Sequence, residues 1–473
     1  MDIHKNSLLK KSILVFLIIL IAACLRLYNL NFEDYWLDEQ ASFWVADPTL
    51  TINETLQRGK ELDRGTSITY NILLKTFFSI LNYSPSIGRY LPFIFGLISI
   101  PALCYLTFQI KKNESYLLVG VLSSINFYLI SYSQEVRVYS LVFFISILSI
   151  ILFFKLIDGE YETKKNYLYA FFYVLVSLFG TCLHIFFFIV IISQFSFLFL
   201  NLIFNKKKLF FSLFCILTIP ILYLVFMYEY LILQIGIKDH WVQQVNIDFF
   251  YNFFFSRFFG SKIMGIIYLF ILLYLLFINK TKILKFDNKN FLLVLIIFFS
   301  FFLPLTYGLI KQPILTDRYI IFVLVPVFIL ISTLILDIKP AKKKYLILLV
   351  ILTSSLINNY LEIFNREKSK PEFSKSIEYI SNSNIKNIFV KSDIHIIENI
   401  TIHYAKNIKL KEKNNITFFK SKDDLTNLNN LWILCYKPIN GFNCSLDNLL
   451  SESWKKKDIK DYNLINLTLY EKK

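Results

Sequence analysis

The sequence predicts a helical membrane protein of about eleven spans that ends in a small α/β domain outside the bilayer. Three observations carry this: recurrent uncharged apolar windows, dense lysine clusters at every second connection, and a change of composition near Asn365. Of the 473 residues 56% are hydrophobic and 18% aromatic, more than a soluble domain of this length carries. The apolar windows run to roughly 17–25 residues, enough to cross a hydrocarbon core of about 30 Å. The net charge of +16 sits mostly on lysines in short connections, so it reads as a topology signal and not as a nucleic-acid surface.

With lysines taken as cytoplasmic, the first span, about residues 12–30, follows Lys5, Lys10 and Lys11 and runs outward. Residues 31–88 then form the first outer loop. Within it, residues 67–81 hold Lys75 at their centre and are too short for a span, so they read as a helix lying in the outer interface. Counting them as a span would put Lys111, Lys112 and every later cluster outside. The second span, about 89–110, returns to those lysines, and the third, about 115–132, leads out to Gln134, Glu135 and Arg137. The fourth ends at Lys155, Lys164 and Lys165, the sixth at Lys206 to Lys208, the eighth at Lys280, Lys282 and Lys285, and the tenth at Lys339 and Lys342 to Lys344. An eleventh, about 345–361, puts residues 362–473 outside, which divides the chain into a membrane domain (1–361) and an outer C-terminal domain (362–473). The "IAAC" stretch, Ile21 to Cys24, matches a lipoprotein cleavage pattern, but its apolar run continues, and an uncleaved first span is the simpler reading.

In the tail, residues 372–380 have helical spacing, while 387–390, 431–436 and 464–470 read as strands. No catalytic motif stands out there, which leaves binding or support as its roles. Cys24, Cys104, Cys182 and Cys215 lie in apolar runs as small hydrophobes. Cys435 and Cys444 could pair in an oxidising compartment, and no Cys/His cluster suggests a metal.

The topology collects one set of polar residues on the outer face: Asp38 and Glu39, Asp63 and Arg64, Arg89, Glu135 and Arg137, His184, Lys238 to His240, and Lys311, Asp317 and Arg318. Taken singly, each reads equally as a solvated loop charge. In "YWLDEQASFW" (35–44), an aromatic belt explains Tyr35, Trp36, Phe43 and Trp44 but not paired carboxylates among them. A carboxylate held there can take a proton from an attacking hydroxyl. Arginines on the same face can hold a phosphate. A base, a phosphate clamp and access to lipid point to transfer chemistry on a lipid-phosphate substrate.

"RLYNLNFEDYWLDEQAS" (26–42) resembles the first outer loop of glycosyltransferase family 39, which includes the dolichyl-phosphate-mannose protein mannosyltransferases and the lipid A aminoarabinose transferase. "YSQEVRVYSL" (132–141) is similar to that family's second outer loop, "GRYLPFIFGLISIPALCYL" (88–106) to its second helix, and "DRY" (317–319) to an Arg-Tyr opening a late span. The likeness covers roughly residues 20–340. It implies the GT-C fold and inverting transfer of a sugar from a polyprenyl phosphate to a lipid, glycan or protein acceptor at the outer side of the cytoplasmic membrane. On this resemblance Asp38 is the general base, with Glu39 positioning it or the acceptor. Arg137 and Arg318 bind the departing phosphate, with Tyr139 and His184 as helpers, and Arg89, Glu135 and Tyr319 are further substrate contacts. A lipid monophosphate leaves with less charge than a nucleoside diphosphate, so arginines can suffice and no obligatory metal is implied. Where the family shows D-x-H-P-P-L-Y-Y, this chain has "DRGTSITYN" (63–71), keeping Asp63 and Tyr70 but lacking the histidine and both prolines. The Lys, Asn, Ile and Phe bias suggests an AT-rich bacterium and hence undecaprenyl phosphate as carrier. Two other readings stand beside this one: a lipid-linked-sugar flippase or transporter, and a polysaccharide polymerase or ligase using a lipid diphosphate.

Overall fold

The computed structural model describes residues 2–473 apart from 63–66, 160–162, 201–205, 236–241, 243–244, 247–256, 280–287, 393–394, 409–415, 420–427 and 437–452. The chain falls into two units. Unit 1 comprises Met1–Tyr28 and Pro92–Asn365, and unit 2 comprises Asn29–Leu91 and Arg366–Lys473.

Unit 1 is helical and the chain is a multi-pass membrane protein. Among the described residues seven helices are long and apolar enough to cross a bilayer: Pro85–Lys111, Tyr139–Asp158, Lys164–Leu183, Phe210–Leu233, Asn288–Ile310, Arg318–Leu336 and Ala341–Phe364. Against the eleven spans expected from sequence, Ser115–Ile125, Ile185–Leu200 and Lys262–Ile278 are shorter apolar helices. The third expected span shows why a hydropathy window overstates helix length. Asn126 is extended (φ −72°, ψ 115°), ending the helix Ser115–Ile125, and its side-chain oxygen accepts the Leu129 N–H at 2.9 Å to start Phe127–Tyr132. An Asx cap thus breaks an otherwise apolar run. Polar side chains join neighbouring helices where hydrocarbon supplies no hydrogen bonds. Ser149 Oγ lies 2.9 Å from Ser177 Oγ, and Tyr173 donates to Gln194 Oε1 at 2.6 Å.

Arg26 closes the first helix, Asp2–Leu27, and is fully buried. Its guanidinium donates to the Ser123 and Ser124 carbonyls at 3.1 and 3.0 Å, buried acceptors in the last turn of Ser115–Ile125, and to Ser133 Oγ at 3.2 Å. Gln134 Nε2 donates back to the Arg26 and Tyr28 carbonyls at 2.9 and 3.1 Å. The connection 133–138 is therefore clamped from beneath. Gly96 is required beside it, since a Cβ there would stand 2.1 Å from Ser133 Oγ. We expect Arg26→Met to lose about 1–3 kcal/mol for each buried carbonyl left without a donor. Thermal unfolding of detergent-solubilised protein reads this, and an unchanged melting temperature would refute the clamp.

Unit 2 contains a five-stranded sheet in the order β2-β1-β3-β5-β4. Its strands are β1 (Asn387–Lys391), β2 (Thr417–Phe419), β3 (Asn430–Tyr436), β4 (Trp454–Tyr462) and β5 (Ile465–Lys472). β1 runs parallel to β2 and β3, and β5 antiparallel to β3 and β4, with a bulge between Lys456 and Asp458. Central β3 is buried on both faces, as its uniformly apolar sequence requires. Leu431 and Ile433 join Phe389 and Tyr470 in one core cluster. On the alternate positions, Trp432 packs on Tyr379 and Tyr436 on Phe373, which places the helix Phe373–Ser381 on that face. The strands expected at 387–390, 431–436 and 464–470 are β1, β3 and β5; β2 and β4 were not anticipated. β4 alternates charged and apolar residues too irregularly to announce itself.

The first-loop residues fold onto this C-terminal segment. Trp44 and Val45, on the helix Leu37–Val45, pack against Ile400 of the helix His395–Asn407, with Leu62 and Ile68 beside them. Residues 67–81, expected as a helix, form Ile68–Ile80, capped by Ser67 Oγ accepting from the Tyr70 N–H. Lys75 is buried, and its ammonium donates to the Asp47 and Leu50 carbonyls at 2.7 and 2.6 Å. Cys435 is disulfide-bonded, and Cys444 lies outside the described residues.

Candidate active site

In unit 2 the acidic motif is built on a frame that the neighbouring acids provide. Glu33, Asp34 and Tyr35 lead into the helix Leu37–Val45, with Asp38 and Glu39 in its first turn, where backbone N–H groups and the helix dipole favour negative charge. Glu33 Oε1 accepts from the Ser369 amide at 2.7 Å, the Ser369 hydroxyl at 2.9 Å and the Lys370 amide at 3.2 Å, while Arg366 pairs with its other oxygen. Burial by itself would raise the Glu33 carboxyl, but Arg366 and the Ser369 amide outweigh it and hold it below the usual range. Asp34 Oδ2 accepts from the Ser374 amide at 2.7 Å. The Tyr404 hydroxyl accepts from the Tyr35 amide at 2.9 Å and lies 3.5 Å from Asp34 Oδ1. Burial first, and then Asp34, raise the Tyr404 phenol well above its ordinary value, so it stays protonated as a donor. The Tyr35 and Tyr404 rings stack at 5.3 Å.

Glu39 is fully buried and ion paired twice. Arg89 reaches its Oε1 and Oε2 at 3.4 Å each, and Lys370 Nζ lies 2.8 Å from Oε2. Arg89 also donates to the Leu30 and Glu33 carbonyls at 3.0 and 2.7 Å and lies over the Tyr35 ring at 5.0 Å. These contacts fix the loop that precedes the helix. Asp38, by contrast, is only half-buried, and its backbone carbonyl accepts the Ser42 hydroxyl at 3.1 Å. Tyr70 is buried on Ile68–Ile80, and Asp63 lies outside the described residues, as do Arg64 and Lys238 to His240.

In unit 1, five of the residues singled out from sequence come together. Arg137 and Arg318 each place the guanidinium carbon 5.9 Å from the Tyr139 ring centre, and Arg318 lies 5.7 Å from the Tyr319 ring. His184 stands 4.9 Å from Tyr319 and 6.2 Å from Tyr139 by ring centres. The arginines arrive from separate turns of chain: Arg137 from the clamped connection before Tyr139–Asp158, Arg318 from the 3₁₀ turn Arg318–Val323. His184 ends Lys164–Leu183, and its Nδ1 accepts the Phe186 N–H at 3.3 Å, which leaves Nε2 as the protonated nitrogen of the neutral ring. Burial, followed by the Arg137 and Arg318 cations, pushes His184 down to about 3. Two cations thus face aromatic rings and an uncharged imidazole donor, an arrangement suited to an anion. Glu135 lies on the same connection, its carbonyl accepting the Arg137 N–H at 2.7 Å, and neighbouring Asp317 pairs with Arg257 at 3.4 Å. Among the described residues no group of three or more His, Cys, Asp or Glu side chains could hold a metal ion.

Sequence reasoning passed over Arg26, Glu33, Asp34, Lys370 and Tyr404. Arg26, Glu33 and Asp34 lie inside the "RLYNLNFEDYWLDEQAS" stretch and were within reach. Lys370 and Tyr404 left no local signal.

No family model matches the sequence, and the curated proteins contain no match. Solved structures do match. ArnT from Cupriavidus metallidurans in the apo state is similar with a TM-score of 0.61 at 8% identity, covering 98% of this chain and 98% of that one. The Archaeoglobus fulgidus oligosaccharyltransferase in the apo form is similar with a TM-score of 0.53 at 11% identity, covering 83% of this chain and 63% of that one. At such identities the likeness is one of architecture: the chain has the GT-C fold.

Proposed function

We propose that this protein is a membrane glycosyltransferase that moves a sugar from a polyprenyl phosphate to an acceptor hydroxyl, with inversion. The observation that carries the reading is the grouping of Arg137 and Arg318 around Tyr139, Tyr319 and a neutral His184 on a GT-C fold. A structural neighbour named as an oligosaccharyltransferase supports it. Undecaprenyl phosphate is the proposed carrier, and the outer side of a bacterial cytoplasmic membrane the proposed location, with the N-terminus inside.

The acceptor oxygen attacks the anomeric carbon from the face opposite the phosphate, forming the new glycosidic bond as the bond from carbon to phosphate oxygen breaks. Asp38 takes the acceptor's proton, and the electron pair of the broken bond leaves on polyprenyl phosphate. Charge grows on that phosphate in the transition state, where preorganised Arg137 and Arg318 and the His184 N–H lower the barrier. Tyr139 and Tyr319 hold the guanidinium planes in place by cation–π contact.

The test offers purified wild-type protein undecaprenyl-phosphate hexoses and pentoses with host membranes as acceptor, and identifies the lipid released. Undecaprenyl monophosphate appearing together with a glycosylated acceptor is the expected result. Release of a lipid diphosphate would assign the polymerase or ligase reading instead, and transbilayer movement of intact lipid-linked sugar without transfer would assign a flippase.

A further inference from the structure

We infer that Lys370, carried by the C-terminal segment, is a positioning residue for sugar transfer that acts through Glu39 on the adjacent Asp38. The inference rests on the proposed role of Asp38 as base. It assigns the C-terminal segment a part in the reaction, where its sequence offers only binding or support.

Lys370 is not a surface lysine that happens to meet an acid. Its amide donates to Glu33 Oε1 at 3.2 Å and its carbonyl accepts from Asn463 Nδ2 at 3.0 Å, so the backbone is pinned on both sides. The side chain is 12% exposed and delivers its ammonium to a carboxylate with no exposure, 2.8 Å from Oε2. Arg89 contacts the same carboxylate at 3.4 Å, a longer approach on both oxygens. An apolar pair of the same volume would serve packing at least as well, because burying two charges costs desolvation. What the ion pair adds is orientation and charge. Glu39 directly follows Asp38 in the first helical turn, and Lys370 draws the Glu39 carboxylate to the C-terminal segment. Without it Glu39 loses the 2.8 Å tie to the C-terminal segment, and the orientation of its carboxylate relaxes in the helical turn that carries Asp38. Both effects act on the geometry of proton transfer and neither on donor binding.

The experiment measures undecaprenyl phosphate release by the full-length protein from undecaprenyl-phosphate hexoses and pentoses with host membranes. It compares wild type, Lys370→Met, Lys370→Arg, Glu39→Gln, Glu39→Gln with Lys370→Met, and Asp38→Asn. Lys370→Met should lower kcat about 10-fold or more, with the donor KM within about 2-fold of wild type. Lys370→Arg, which keeps the charge, should recover most of that loss. The double variant should match Glu39→Gln to within about 2-fold, because a residue that acts through Glu39 has nothing left to act on. If Lys370→Met is insoluble, the neutral double variant against Glu39→Gln still decides the question. Wild-type kcat in Lys370→Met, no recovery in Lys370→Arg, or a double variant far below Glu39→Gln each overturn the inference. Normal turnover by Asp38→Asn would overturn the base reading and this one with it, whereas an inactive Asp38→Asn beside an active Lys370→Met would remove the role of Lys370 alone.

Discussion

Asp38→Asn protein should fold normally and lose sugar transfer by about 10²–10⁴-fold, the contribution of a positioned general base. Folding is spared because the neighbouring acids Glu33, Asp34 and Glu39 hold the frame. Glu33 holds Arg366 and Ser369, Asp34 holds Ser374, and Glu39 holds Arg89 and Lys370, while Asp38 gives its backbone carbonyl to Ser42. Asparagine keeps the size of aspartate but accepts a proton too weakly to serve as a base. If Asp38 were only a favourable charge at a helix N-terminus, the same variant would lose roughly 0.3–1 kcal/mol of stability and no activity. Single-turnover release of undecaprenyl phosphate, measured beside thermal unfolding, separates the two. Turnover within about twofold of wild type would move the active site elsewhere.

Replacing Arg318 by methionine should lower kcat about 10²–10³-fold, the typical cost of removing one donor aimed at developing charge. Arg137→Met should behave alike, since both guanidiniums flank Tyr139 at the same 5.9 Å. Methionine retains much of the apolar stem against the Tyr139 and Tyr319 rings, so packing changes little. Lysine at either position should restore charge but not the planar fork, and so recover activity only in part. The loss should fall on kcat more than on donor KM, because the leaving phosphate carries more charge in the transition state than in the bound donor. A fall in melting temperature with kcat unchanged would make the cluster a packing feature.

How much of this was legible differs by element. Periodicity found the helix Phe373–Ser381 and the strands β1, β3 and β5, because side-chain direction repeats every 3.6 or 2 residues wherever one face is buried. Hydropathy found the membrane helices but ran across Asn126, where one polar side chain caps a new helix inside an apolar stretch. The motif resemblance singled out Arg137, Tyr139, His184, Arg318 and Tyr319 from three distant stretches of chain, and the structure brings them together in unit 1. It did not single out Arg26, whose importance lies in bonds to Ser123, Ser124 and Ser133 that are set by helix packing.

From its amino acids alone the chain declared itself a multi-span helical membrane protein with a small mixed sheet at its end. Apolar length and local period are properties of neighbouring residues, and the bilayer's demand that backbone groups bond internally turns them into helices. Only the tertiary structure decided that residues 29–91 fold with 366–473, and that Glu39 is held by a lysine 331 positions away. Such a pairing leaves no trace in local pattern, because a buried carboxylate requires a cation at contact distance but sets no condition on where in the chain that cation lies.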